Sequence, residues 1–186
     1  MKTEDQIREQ VRERYTAAVS MKSGCCATSH EIPVERVACC AGYSEEELKS
    51  IPPDAVQNSF GCGNPLAFSE VLPGQTVADI GSGAGIDCLL AAQRVGPNGK
   101  VIGIDMTPVM IEKAQKNALK AGAQNVEFRL GNAEKMPLAN EEADWIISNC
   151  VINLSPNKPA VFREAFRTLR SGGQISISDI MVETLP

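Results

Sequence analysis

The stretch Thr76-Val-Ala-Asp-Ile-Gly-Ser-Gly-Ala-Gly85 decides how this chain is read. Its first half is a short apolar run of strand length, broken by a single carboxylate at Asp79. Its second half sets glycines at 81, 83 and 85, so the backbone can turn sharply and approach a ligand with no Cβ in the way. Residues 86–94 then carry a helical pattern that stops at Gly96-Pro97. Strand, glycine turn and helix in that order open a βαβ unit.

The same rhythm continues downstream. Residues 101–105 read as a second strand, 108–121 as a helix closed by Gly122, 126–130 as a third strand and 143–148 as a fourth. Residues 158–169 read as a helix closed by Gly172-Gly173, and 174–180 as a fifth strand. This alternation predicts an α/β fold, a doubly wound and mostly parallel sheet with helices on both faces. Upstream, Thr3 and Gln6 form a capping box, and Ile7, Val11, Tyr15 and Val19 make one apolar stripe. That pattern predicts a surface helix docked on the body. The segment from Gly24-Cys25-Cys26 to Ala38-Cys39-Cys40 reads mostly as loop. Ser44 and Glu47 open a short helix through about Lys49, which Pro52 and Pro53 are expected to close. The division expected is a helical, cysteine-rich segment over 1–57 and an α/β domain over 58–186.

A glycine loop after the first strand suits two cofactor classes. Dinucleotide binders favour G-x-G-x-x-G around a pyrophosphate. Here the spacing is G-x-G-x-G, and Asp79 stands two positions before the first glycine. A carboxylate is a poor neighbour for pyrophosphate and a good one for an ammonium and a sulfonium. The cofactor implied is S-adenosylmethionine (SAM), facing Gly81, Ser82 and Gly83. Asp105 ends the second strand, 20 residues beyond Gly85, where a carboxylate reaches ribose hydroxyls. The alternative for Asp105 is a helix cap. Asn132, Ala133 and Glu134 follow the third strand and could line the edge of an adenine.

Composition narrows the partners. The formal net charge is −5 with no basic cluster, which argues against nucleic acid, and an aromatic content of 4% leaves few stacking platforms. No apolar run is long enough to cross a bilayer, and the charged start lacks the apolar core of a signal peptide, so a cytoplasmic location is expected. The seven cysteines, an odd number, suggest metal, metalloid or redox chemistry before a disulfide framework.

With these residues in view, the chain resembles the arsenite methyltransferases, SAM-dependent enzymes of the Rossmann-like class I methyltransferase superfamily. Four stretches carry the resemblance: Ser59-Phe-Gly-Cys-Gly-Asn-Pro65, Asp79-Ile-Gly-Ser-Gly-Ala-Gly-Ile-Asp87, Gly103-Ile-Asp-Met-Thr-Pro108 and Ser148-Asn-Cys-Val-Ile-Asn-Leu-Ser-Pro156. It implies methyl transfer to trivalent arsenic, supplied as arsenite or its thiol conjugates, and methylated products for detoxification. It implies arsenic ligation by Cys62, Cys150 and Cys26 (or its neighbour Cys25), and cofactor contacts at Asp79, Gly81, Gly83, Asp105, Met106 and Asn149. It also implies a thiol reductant such as glutathione or thioredoxin. The family's C-terminal region, with a further arsenic-binding cysteine, would begin after Pro186.

Soft thiolates suit trivalent arsenic better than carboxylates or imidazole. Three of them would leave its lone pair free to attack the methyl group. Cys150 falls at the carboxyl end of the fourth strand, beside the first, where open sheets bind ligands. Cys62 lies in a glycine-flanked turn able to fold over the same mouth. Cys88 reads as core, and Cys39 and Cys40 as bystanders or electron relays. A zinc site from Cys25, Cys26, Cys39, Cys40 and His30 lacks the usual C-x2-4-C spacing. Two other readings stand beside arsenic methylation: SAM-dependent methylation of another small molecule, and a non-catalytic thiol module that binds arsenic or metal.

Overall fold

The computed structural model describes residues 2–21 and 41–181. Helix α1 spans Glu4–Met21 and the short helices α2 and α3 span Glu45–Lys49 and Pro53–Gln57. The α/β part follows as β1 (Thr76–Ile80), α4 (Ile86–Val95), β2 (Lys100–Asp105), α5 (Pro108–Ala121), β3 (Val126–Leu130), β4 (Ala143–Asn149), α6 (Lys158–Thr168) and β5 (Leu169–Ser178). One-turn 3-10 helices lie at Pro65–Phe68 and Ile152–Leu154. No helix is long and apolar enough to cross a membrane, among the described residues.

The five strands form one sheet in the order β3-β2-β1-β4-β5, and every pairing is parallel. Side chains alternate across it. Val77, Val101, Trp145 and Ile147 join Leu89, Leu90 and Ala118 in a core on one face. Ala78, Ile80, Ile102, Ile104 and Ile146 join Val161 and Ala165 on the other. Helices therefore cover both faces, as the sequence pattern predicts. The central strand β1 is buried along Val77–Ile80 because β2 and β4 flank it and both faces are packed. Leu48, Ile51, Ala55 and Val56 belong to the first core as well, so α2 and α3 are built onto the sheet domain.

Two local expectations change. Pro53 does not close a helix; it starts α3 at the first turn, where its missing N–H has no partner to lose. The fifth strand begins at Leu169 rather than 174, before the Gly172-Gly173 pair. Ala143 pairs with Leu169 and Trp145 with Gln174, so residues 170–173 bulge out opposite Asp144. Gly172, at φ 80°, supplies the left-handed turn of this excursion, and Arg170 pairs with Asp144 at 2.7 Å across it.

The strand order reverses between β1 and β4, since β2 lies on one side of β1 and β4 on the other. A crevice opens at the carboxyl ends of the strands at such a point. The glycine loop, Asp105 and Asn149-Cys150 all end strands there.

Candidate active site

The glycine loop forms one wall of this crevice. Gly81 and Ser82 N–H groups both donate to the Ile104 carbonyl, at 2.7 and 3.0 Å, which ties the loop to the end of β2. Gly81 has φ 77°, and a Cβ there would drive into Val151, so only glycine fits. Gly85, also left-handed, caps α4 and aims the helix N-terminus at the loop.

Asp105 closes the next corner. Its Oδ2 accepts from Gly83 N–H at 3.0 Å and its Oδ1 from Thr107 N–H at 2.8 Å. Asp105 thus braces the turn that leads into α5, whose N-cap is Thr107, and it borders the crevice. Burial pushes its pKa up against the pull of those two amides. Met106, Ala133 and Glu134 also line the crevice. Asn132 is exposed and stands outside that lining, bridged to Lys135.

Asp79 sits beneath the loop rather than in its wall, 2% exposed. The Cys88 thiol donates to its Oδ2 at 3.3 Å, while Oδ1 has no partner. Burial raises its pKa well above the ordinary carboxylate range, and the charge of Asp87 adds to the rise. Ser82 Oγ is likewise buried and unpartnered. Two orphaned oxygens under and within a glycine loop fit a cofactor that brings hydrogen-bond donors and positive charge. SAM has that chemistry.

At the other wall Cys62 and Cys150 are joined as a disulfide, with their Cα atoms 6.1 Å apart and a separation of 88 residues in sequence. This departs from the sequence expectation, in which a disulfide is not the first reading of the cysteines, and only the reduced pair offers two thiolates. Cys150 is half-buried and lines the crevice, and Cys62 is exposed at its edge. Cys88 is buried in the core, as its place in α4 suggests. Cys25, Cys26, Cys39, Cys40 and His30 lie outside the described residues, so the third arsenic ligand and the zinc alternative do too. Among the described residues no cluster of three or more His, Cys, Asp or Glu could hold a metal ion.

Three features of the site are not visible in sequence patterns. Arg8, Val11 and Tyr15 place α1 across the crevice: Arg8 reaches Glu134 at 3.4 Å, and the Tyr15 ring stacks edge-on to Phe60 at 5.6 Å. Ser155 donates to the same Glu134 carboxylate at 2.7 Å. Asp87, buried in the first turn of α4, accepts from the Tyr43 hydroxyl at 2.8 Å and from Asn149 Nδ2 at 3.2 Å. Burial pushes the Asp87 pKa up to about 6, with Glu47 adding to the rise; the Tyr43 and Asn149 hydrogen bonds and the charge of Arg94 oppose it. Asp87 is visible in sequence only as part of the glycine-loop motif, and nothing there points to Tyr43.

The chain belongs to the methyltransferase-domain family, whose model matches residues 72–186. Its fold is that of the SAM-dependent methyltransferases. A SAM-dependent methyltransferase from Aquifex aeolicus superposes with a TM-score of 0.60 over 84% of this chain and 79% of that one, at 23% identity. More specifically, the chain is similar to arsenite methyltransferases. It is 46% identical to the arsenite methyltransferase of Halobacterium salinarum over 98% of this chain and 49% of that protein. The human arsenite methyltransferase is 38% identical over 85% of this chain and 42% of its own length. The crystal structure of CrArsM, an arsenic(III) S-adenosylmethionine methyltransferase from Chlamydomonas reinhardtii, gives a TM-score of 0.67 at 36% identity, covering 79% of this chain and 48% of that one. The chain thus spans about half the length of the curated relatives it matches.

Proposed function

We propose that this chain carries the cofactor site and two substrate thiols of an arsenite methyltransferase, transferring a methyl group from SAM to trivalent arsenic. The observation that carries the proposal is the Cys62–Cys150 disulfide at the edge of the glycine-loop crevice: once reduced, its two sulfurs lie within reach of one soft atom. Cys26 is the third ligand of this reading.

When bound, SAM supplies an electrophilic methyl group on a sulfonium. Gly81 and Gly83 would bring backbone close to it, Asp105 would accept from its ribose, and Met106 and Ala133 would border its base. Asp79, under the loop, would face its ammonium through the unpartnered Oδ1, the cation favouring the charged carboxylate that burial alone disfavours. Cys62 and Cys150, as thiolates, hold arsenic through soft bonds and leave its lone pair free as the nucleophile. No general base is then required at the arsenic. The work of the protein is alignment of the lone pair with the methyl–sulfur bond, an effect that reaches about 7–11 kcal/mol in well-oriented reactions. The products are methylated arsenicals, a detoxification chemistry. The transfer takes arsenic from III to V as the sulfonium leaves as a neutral thioether. A thiol pair that closes to a disulfide supplies the two electrons returning arsenic to III, and a reductant such as glutathione or thioredoxin reopens that disulfide in the cytoplasm.

The test is mass spectrometry of arsenic species after incubation of the protein with SAM, arsenite and glutathione. Methylated arsenic from the parent and none from Cys150→Ser is the expected result. Equal product from the two proteins would overturn the assignment of the site.

A further inference from the structure

We infer that Asn149 is a positioning residue, holding the Cys62 loop against Cys150 so that the two thiols meet one arsenic atom already spaced. The inference rests on the arsenite reading and deepens it.

Asn149 is the last residue of β4 and immediately precedes Cys150. Its side-chain amide is 8% exposed as part of the residue and is spent almost wholly within the protein. Oδ1 accepts from Cys62 N–H at 3.1 Å and from Gly63 N–H at 3.2 Å. Nδ2 donates to the Gly63 carbonyl at 2.6 Å, to the Tyr43 oxygen at 3.0 Å and to Asp87 Oδ2 at 3.2 Å. The amide therefore grips the Cys62-Gly63 peptide from both ends and is itself held by Tyr43 and Asp87.

The glycines of the F-G-C-G motif are explained by the same packing. A Cβ on Gly61 would occupy the place of the Asn149 amide, and one on Gly63 would strike the Ser178 side chain. Ser178 pairs with Asn149 across β4 and β5, and its carbonyl accepts from Cys150 N–H at 2.7 Å. One residue thus carries one thiol on its own chain neighbour and fixes the backbone of the other. Pre-setting two ligands removes the ordering cost that would otherwise weaken chelation. Asn149 also lines the crevice, so service to the sulfur pair stands beside the cofactor contact that the resemblance implies.

The experiment is protection of cysteines from iodoacetamide by arsenite, read peptide by peptide by mass spectrometry. Parent, Asn149→Ala and Gly61→Ala proteins, first reduced with a phosphine to open the Cys62–Cys150 disulfide, are compared, the last reaching the same contact from the other side. The arsenite concentration giving half-protection of Cys62 and Cys150 rises at least tenfold in both variants. Without arsenite, Cys62 in the variants is alkylated at least as fast as in the parent. Buried Cys88 reports folding: it stays unlabelled where the fold is intact, and Gly61→Ala decides if Asn149→Ala exposes it. Half-protection within twofold of the parent in a folded variant overturns the inference and leaves the arsenite reading standing. Absence of protection in the parent overturns the arsenite reading itself, and the inference with it.

Discussion

The Tyr43 hydroxyl donates to Asp87 Oδ1 at 2.8 Å, so a residue upstream of the sheet domain seals a carboxylate in the first turn of α4. The pair is buried, with Asn149 on the second carboxylate oxygen and Glu47, Arg94 and Asp79 as the charged groups around it. The Asp87 pKa is pushed up to about 6, chiefly by burial. An unfolded aspartate titrates near about 3.9. The folded state therefore binds the proton more tightly, and its contribution to stability is fully present below the unfolded pKa and lost as pH rises through the folded one. Urea unfolding should show stability falling between about pH 4 and pH 7, by on the order of 2–3 kcal/mol from this group. Asp87→Asn should flatten that slope. A parent whose stability rises over the same range would refute the sign.

Tyr43→Phe removes the donor while keeping the ring. It leaves a buried carboxylate oxygen with one partner fewer, a loss of about 1–3 kcal/mol. The urea midpoint should fall with an unchanged slope, and the drop should be larger at pH 7 than at pH 5, because only the charged carboxylate misses the hydrogen bond strongly.

Gly81→Ala tests the loop. With φ at 77° and Val151 in the path of a Cβ, the substitution strains the backbone and moves the wall of the crevice. A destabilisation of about 1–3 kcal/mol is expected. Calorimetric titration should show SAM affinity reduced at least tenfold. A Gly81→Ala protein that binds SAM as the parent does would separate the loop from the cofactor.

Asp105→Ala removes both the brace to Gly83 and Thr107 and the proposed ribose acceptor. Hydrogen bonds to charged groups contribute about 1.5–3 kcal/mol, so SAM affinity should fall roughly ten- to a hundredfold. Asp105→Asn keeps one acceptor and should lose less.

Cys62→Ser addresses the substrate side alone, since Cys62 stands at the edge of the crevice rather than in its lining. Methylated arsenic should disappear while calorimetric SAM affinity stays within about threefold of the parent. Loss of SAM binding in this variant would argue that the sulfur pair shapes the cofactor site instead.

Much of the architecture is legible because it is local. The 76–85 stretch carries a strand and its turn in ten consecutive residues, and α4 and α5 have a glycine or proline at both ends. The places that depart from the pattern are those set by distant partners. The bulge at 170–173 faces Asp144 on β4, which pairs with Arg170, and the start of the fifth strand moves with it. The spacing of Asp79 suggests a cofactor contact, but its burial under the loop and its bond to Cys88 on α4 depend on packing that the motif does not show. Helix α1 looks like an ordinary surface helix because amphipathic spacing says which face is apolar, not what it covers. Motif resemblance pairs Cys62 with Cys150, while the amide that joins them, Asn149, is visible only once residues 86 apart are in contact.

Cys150 itself takes φ 57°, the left-handed hand that a side chain seldom adopts. That turn breaks β4 at its tip and swings the thiol toward Cys62 instead of into the sheet. Glycine would relax this backbone by about 1–2 kcal/mol, so Cys150→Gly should melt higher than Cys150→Ala. Sulfur is thus held where backbone strain alone would favour no side chain at all, and the reactive tip is kept against a conformational cost.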